Sequence, residues 1–305
     1  MKKVAAILAV ICALAGIAYG GAVWYFSGVV VLSYKRPLEE DRQNLKIHSP
    51  ADFLLPAPLD VRVPTDAGHI AGWLFRHPSA KKCAVILHHG HTGTRFGGLK
   101  YAPLFYTRGC AVLSVDGRYH GESSGDYCTY GYYDRQDMVR VVEWIKKELN
   151  LKNDQIGMLG ESMGAVVSLM TAAETDLAFV AADSPYRDLD SILREQAVLQ
   201  YGKPVQILFR GLVPVVEWRA KFKMDEVSAL KAVQKIDEPV FLLHSKQDDY
   251  TNARHSEDIF AAIPHNRKVL HLTDWGAKHG RSINVNYADY KKLMDEFLKR
   301  YTRFP

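Results

Sequence analysis

Cysteine is scarce in this chain: there are four in 305 residues, at positions 12, 83, 110 and 128. No two are spaced C-x-x-C, which speaks against the common structural zinc sites. The three in the body are an odd set and do not read as a disulfide framework. Cys83 and Cys110 each open an apolar run, where a free thiol acts as a small hydrophobe. H-E-x-x-H is absent, so the helix of zinc metalloproteases is not here. Basic residues form only short runs such as Lys291-Lys292 despite a net charge of +5. A nucleic-acid-binding surface shows a concentrated basic stripe, so that partner is excluded and a mildly basic solvated surface expected. No internal repeat or low-complexity segment occurs. With 48% hydrophobic and 24% charged residues, the bulk of the chain is not disordered.

Long hydrophobic runs are missing from the body, but one opens the chain. Lys2 and Lys3 precede an uncharged stretch from Val4 to Leu32, closed by Lys35 and Arg36. About 20 apolar residues span a bilayer. The stretch also fits a secretory signal with small residues near Ala18-Tyr19-Gly20. An uncleaved anchor is favoured, because apolar character continues through Val29-Val30-Val31 and Trp24 and Tyr25 suit an interface. Flanking charges balance, and the export-like start places the domain that follows outside the cytoplasm. Residues 1–34 are thus a signal or anchor. Residues 35–58, polar and holding Pro37, Pro50, Pro56 and Pro58, read as a linker into a domain over 59–305.

In that domain strand-like and helix-like patterns alternate. Asp60–Val63 and His69–Phe75 read as an antiparallel pair around Thr65-Asp66-Ala67-Gly68. Cys83–His88, Cys110–Val115, Gln155–Leu159, Phe179–Asp183, Val240–His244 and Val269–Leu272 are short apolar runs of the kind buried on both faces. Helices are expected over Leu99–Thr107, Asp134–Leu149, Met163–Ala173, Ser256–Ile263 and Tyr287–Tyr301. This predicts an α/β fold: a mostly parallel eight-stranded sheet with helices on both faces, preceded by an apolar N-terminal helix. Leu189 to Ile236 breaks the rhythm and reads as a helical cap inserted over the sheet's edge.

Gly160-Glu161-Ser162-Met163-Gly164 fits G-x-S-x-G. It lies between the apolar run Ile156–Leu159 and an apolar helix rich in small residues, the strand–turn–helix context the motif needs. The glycines permit a tight, strained turn that lifts the Ser162 hydroxyl to a helix N-terminus. A serine needs a base. His279, in a glycine-flanked loop after the last strand, is the best of twelve histidines. The order serine, acid, histidine predicts an acid after Val240–His244. Asp248 is chosen, with Asp249 beside it. Of the two oxyanion amides, Met163 supplies one and the loop His89-Gly90-His91-Thr92-Gly93 the other, at His91 with Thr92 next. His88, His89 and His91 raise the question of a metal. Strand alternation sends His88 and His89 to opposite faces, so no metal site is expected.

Together these residues resemble the α/β-hydrolase family over roughly residues 60–302, in the branch of serine aminopeptidases and acylaminoacyl-peptidase-like bacterial hydrolases. Asp116-Gly117-Arg118-Tyr119-His120-Gly121-Glu122-Ser123 is similar to that family's D-x-R-x-x-G-x-S turn. Leu243-His244-Ser245-Lys246-Gln247-Asp248 is similar to its acid strand, with Ser245 in place of glycine, and Gly276-Ala277-Lys278-His279-Gly280 to its histidine loop. Ala182-Asp183-Ser184-Pro185 matches a strand-end segment. The resemblance implies acyl transfer through Ser162, His279 and Asp248 without metal or organic cofactor. A carboxylesterase for small to medium acyl groups is favoured, with Phe209, Leu212, Val215 and Trp218 as an apolar cap lining. The alternatives are a peptidase for short peptides and a non-catalytic membrane-attached binding module.

Overall fold

The computed structural model describes residues 1–79 and 81–305. Its core is one eight-stranded sheet in the order β1-β2-β4-β3-β5-β6-β7-β8. The strands are β1 (Leu59–Thr65), β2 (Gly68–Phe75), β3 (Ala84–His88), β4 (Ala111–Val115), β5 (Ile156–Glu161), β6 (Phe179–Asp183), β7 (Val240–Ser245) and β8 (Lys268–Thr273). Only β2 runs against its neighbours, β1 and β4; all other pairs are parallel. Strands β3, β4, β6 and β7 are buried along their whole length. That is why they read as continuous apolar runs rather than alternating ones.

One face is covered by helices Asp134–Glu148 and Met163–Ala172, the other by Leu104, Phe105 and the stripe Tyr290, Met294 and Phe297 of helix Tyr287–Tyr301. The helix expected over Leu99–Thr107 is instead two short pieces, Leu99–Tyr101 and Pro103–Tyr106. Pro103 has no N–H to continue the first and presets the backbone to start the second.

The expectation of unpaired cysteines is overturned: Cys83 and Cys110 form a disulfide, and Cys128 alone is a buried free thiol. The reason is register. β3 and β4 are parallel neighbours with Ala84 opposite Ala111. The residues preceding them therefore lie side by side, with a Cα separation of 4.8 Å. Spacing along the chain does not carry that information. With 27 residues separating the two cysteines, the bond contributes about 3 kcal/mol through the unfolded chain. The double variant Cys83→Ala/Cys110→Ala is therefore expected to melt roughly 6 to 12 °C lower in a thermal scan of the oxidised protein. Reductant should lower the wild type similarly and leave the variant unmoved.

Residues 35–58, read as a linker, are packed on the body. They contain helix Leu38–Asn44 with Asp41 buried, and Ile47 and Leu55 sit in the core. The chain between β6 and β7 makes a helical excursion, chiefly Leu189–Tyr201 and Phe209–Ala220. The N-terminal helix Lys2–Val31 lies against the second of these. The amide of Gly211 donates to the Tyr19 hydroxyl (3.1 Å), and Arg219 donates to Ser27 Oγ (2.8 Å). Its far end is seated in the domain: Val31 is buried and Tyr130 donates to the Val30 carbonyl at 2.7 Å. Residues 1–20 are exposed throughout.

Candidate active site

The site forms where the parallel strands end. Ser162 stands between β5 and helix Met163–Ala172, at φ 53°, ψ −115°. A non-glycine residue held there is strained by about 1–3 kcal/mol. Its neighbours explain how the bend is accommodated. A Cβ on Gly160 would strike the Gly164 carbonyl, and one on Gly164 the carbonyls of His88 and His89. The Ser162 amide is held by the Asp183 carbonyl at 2.8 Å.

His279 Nε2 lies 2.8 Å from Ser162 Oγ, and its Nδ1 lies 2.7 Å from Asp248 Oδ2. An ionised carboxylate only accepts, so Nδ1 carries the proton of the neutral ring and Nε2 is left to accept from the hydroxyl. Between the two candidate acids the geometry is unequal. Asp249 is exposed, pairs with Lys278 at 3.2 Å and meets only the backbone amide of His279, at 3.4 Å. Asp248 is fixed from every side: the amides of Tyr250 (2.9 Å) and Thr251 (2.7 Å) donate to its Oδ1.

His244 was not singled out by the sequence. Its Nε2 sits 3.2 Å from Asp248 Oδ2 and 2.9 Å from the Thr251 carbonyl, while Ser256 Oγ lies 2.7 Å from Nδ1. Its place at the end of a buried strand was the available signal. Ser245, which replaces the glycine of related acid strands, donates to the Ala277 carbonyl at 2.6 Å and accepts from the Gln247 amide at 3.1 Å. The departure thus ties the acid loop to the histidine loop.

Burial alone pushes the Asp248 carboxyl up, but hydrogen bonds from His244 and His279 hold it well below the usual carboxylate range. Burial opposes a charged His279, yet Asp248, then Glu161 and Asp183, raise it above the ordinary imidazole value. Glu161 itself pairs with Lys100 and accepts from the Tyr101 hydroxyl at 3.1 Å, which also donates to Asp183 at 2.9 Å. A base must be neutral to work. Activity should therefore fall as pH drops through a value above about 6.5. Glu161→Gln removes one charge that favours the imidazolium, so the acid limb of the kcat/KM profile is expected to move to lower pH. A profile that stays put or moves upward would contradict this electrostatic account.

The loop after β3 passes beside Ser162: a Cβ built on Gly90 meets Ser162 Cβ at 3.4 Å. The supposed linker clamps this loop. Arg36 donates to Thr92 Oγ1 (3.4 Å) and to Asp41 (2.9 Å), and Asp41 accepts from the Thr94 amide (2.9 Å). Met163 begins its helix, where amides have no intrahelical acceptor. His88 and His89 do not diverge to opposite faces. The strand ends at His88, and the two rings lie 5.1 Å apart. Among the described residues, a metal-sized group comes together instead at His91, His120 and Cys128, whose donor atoms lie within 4.8 Å of one another. Burial pushes the Cys128 thiol up to about 12, so it stands as a protonated apolar group.

Two cavities share Tyr250, whose ring lies 5.1 Å from that of His279. The larger, about 540 Å³, has a mostly apolar surface ringed by charged groups, among them Arg187, Arg194, Glu195, Asp248 and Asp249. The smaller, about 190 Å³, is walled by Leu193, Phe209 and Leu212 of the excursion, by His91 and Tyr130, and by Phe26 of the N-terminal helix. Of the four cap residues expected as lining, Phe209 and Leu212 are there. Val215 and Trp218 are not, and Trp218 is exposed, 6.4 Å from Trp24.

The profile of the X-Pro dipeptidyl-peptidase (S15) family matches residues 13–207. The Bacillus subtilis protein YqkD is 34% identical over 221 residues, 70% of each chain. Among solved structures, the Pyrococcus furiosus esterase Pf2001 superposes with a TM-score of 0.67 at 27% identity, covering 83% of this chain and 95% of that one. The acylaminoacyl peptidase of Pyrococcus horikoshii shares the fold, with a TM-score of 0.61 at 16% identity over 82% of this chain and 43% of its own.

Proposed function

The chain belongs to the X-Pro dipeptidyl-peptidase (S15) family of α/β-hydrolases, and on that premise we propose that it is a serine esterase cleaving carboxylic esters of small to medium acyl groups. The observation that carries the reading is the unbroken hydrogen-bonded series Ser162–His279–Asp248. His279 takes the Ser162 proton as the oxygen attacks the carbonyl. The amides of Met163 and His91 hold the oxyanion, and His279 returns the proton to the leaving alcohol. Water then enters by the same route and releases the acid.

Ester rather than peptide is favoured by the smaller cavity. Its walls carry no carboxylate to hold a peptide's α-amino group; in the peptidase reading that group would meet Glu195 or Asp249 in the larger cavity. At about 190 Å³ the smaller cavity is a mostly apolar space suited to an acyl chain. The peptidase reading is favoured by the description of the family itself. The anchor role of the N-terminal helix and a catalytic domain outside the cytoplasm are part of this proposal. The Cys83–Cys110 bond supports the location, since disulfides persist in oxidising compartments.

A fluorophosphonate probe should label the wild type and not Ser162→Ala. p-Nitrophenyl acyl esters should be turned over faster than aminoacyl-naphthylamides. Absence of labelling would leave a non-catalytic binding module, and the reverse substrate order a peptidase.

A further inference from the structure

The N-terminal helix does more than leave the domain. Between Phe26 and Val30 it forms one wall of the cavity beside His91 and Tyr250. Its contacts with the excursion start at Tyr19, whose hydroxyl donates to the Ile207 carbonyl at 3.3 Å. The 15 uncharged residues from Val4 to Ala18 are exposed and, at 1.5 Å each, about 22 Å long, short of the roughly 30 Å hydrocarbon thickness of a bilayer, so that spanning it draws the helix beyond Ala18 toward the lipid. With that segment in lipid, the excursion around Ile207 is brought to the membrane surface.

The exposed residues there suit that position. Ile207 (68% exposed), Leu199 (69%), Tyr201 (55%) and Trp218 (63%) are open on the excursion, as Trp24 and Tyr25 are on the helix, and the Trp218 ring lies 6.4 Å from that of Trp24. Lys221 and Arg219 lie over the rings of Trp218 and Trp24, at 5.2 and 4.4 Å. Aromatic rings with adjacent cations are the composition of a surface settled among lipid headgroups. Tyr201 also lines the cavity, packing on Phe26 at 5.2 Å, so the apolar rim and the apolar cavity are continuous.

We propose that the cavity between the N-terminal helix and the excursion is an acyl site opening on the bilayer, and that the substrate is an acyl ester partitioned in the membrane, its chain passing along Phe26, Val29 and Val30 to Ser162. This rests on the esterase reading above. The helix is then a specificity-determining wall as well as an anchor, and the occupant of the exposed rim is the lipid surface.

The test uses the full chain reconstituted in phosphatidylcholine vesicles and p-nitrophenyl esters from acetate to dodecanoate. Val29→Trp fills the cavity from the helix side. It should lower kcat/KM for octanoate and longer esters by about tenfold or more while leaving acetate unchanged. Ile207→Ser/Trp218→Ser should raise KM for dodecanoate in vesicles several-fold, with dissolved acetate unchanged. Long-chain turnover equal to wild type in both variants, or equal loss of acetate and octanoate, would overturn the proposal. So would a change of oligomeric state in the rim variant by sedimentation, which would assign the rim to a second copy. If wild type turns over no ester of any length, the esterase reading fails instead. If acetate is cleaved but neither variant alters the profile, only the membrane-facing acyl site fails.

Discussion

Ser162→Ala is expected to reduce acyl-ester turnover by about 10⁶-fold with the fold intact. Among the described residues no other hydroxyl lies within hydrogen-bond distance of His279 Nε2, which is 2.8 Å from Ser162 Oγ. Losing it removes both the attacking oxygen and the proton that the imidazole accepts. The residual rate belongs to the oxyanion amides and to binding. The substitution keeps a Cβ at φ 53°, so the strain of the bend remains and the melting temperature should move little. Ser162→Gly, which relieves that strain, should melt higher while being equally inactive. Turnover, probe labelling and a thermal scan of the two variants decide the matter. Retained activity in either variant would remove Ser162 from the reaction.

Asp248→Asn carries the second large effect, a loss of about 10⁴-fold in kcat. The amides of Tyr250 and Thr251 keep the remaining oxygen at the Oδ1 position, so an NH2 donor faces Nδ1 in place of Oδ2, favours the wrong imidazole tautomer and no longer stabilises the imidazolium. Asp249→Asn is expected to change kcat by no more than a few-fold, because Asp249 reaches only the His279 backbone and the Lys278 side chain. The comparison discriminates between adjacent carboxylates. Equal losses in the two variants, or a larger one at Asp249, would reverse the assignment. His244→Ala should fall between them, since it frees one face of Asp248 without removing the acceptor.

Much of the sheet is readable in the sequence. A strand buried on both faces must be apolar along its length, and β3, β4, β6 and β7 announce themselves that way. The serine was legible for the same local reason. Its bend needs glycine at both flanks, and a strand on one side and a helix on the other can be recognised within twenty residues. His279 and Asp248 were reached by chain order, which is weaker information, and the neighbouring Asp249 stayed open until side-chain directions were known.

What stayed hidden is what depends on register or on long-range packing. Cys83 and Cys110 read as two free thiols because only the β3–β4 pairing places them side by side. Residues 35–58 read as a linker because their proline-containing, polar sequence gives no sign that Asp41 is buried against Thr94. His244 and Ser245 looked like the end of a strand, and their bonds to Asp248 and Ala277 appear only when two loops meet.

The amino-acid order by itself therefore determined the strands, the bend at Ser162 and the apolar N-terminal helix, because each is set by neighbours a few residues away. Which acid faces the imidazole, which cysteines pair, and that the N-terminal helix walls a cavity were decided by the tertiary structure alone. Those features join residues up to 195 positions apart, as between Arg219 and Trp24, and no local pattern of polarity encodes which distant surfaces will touch.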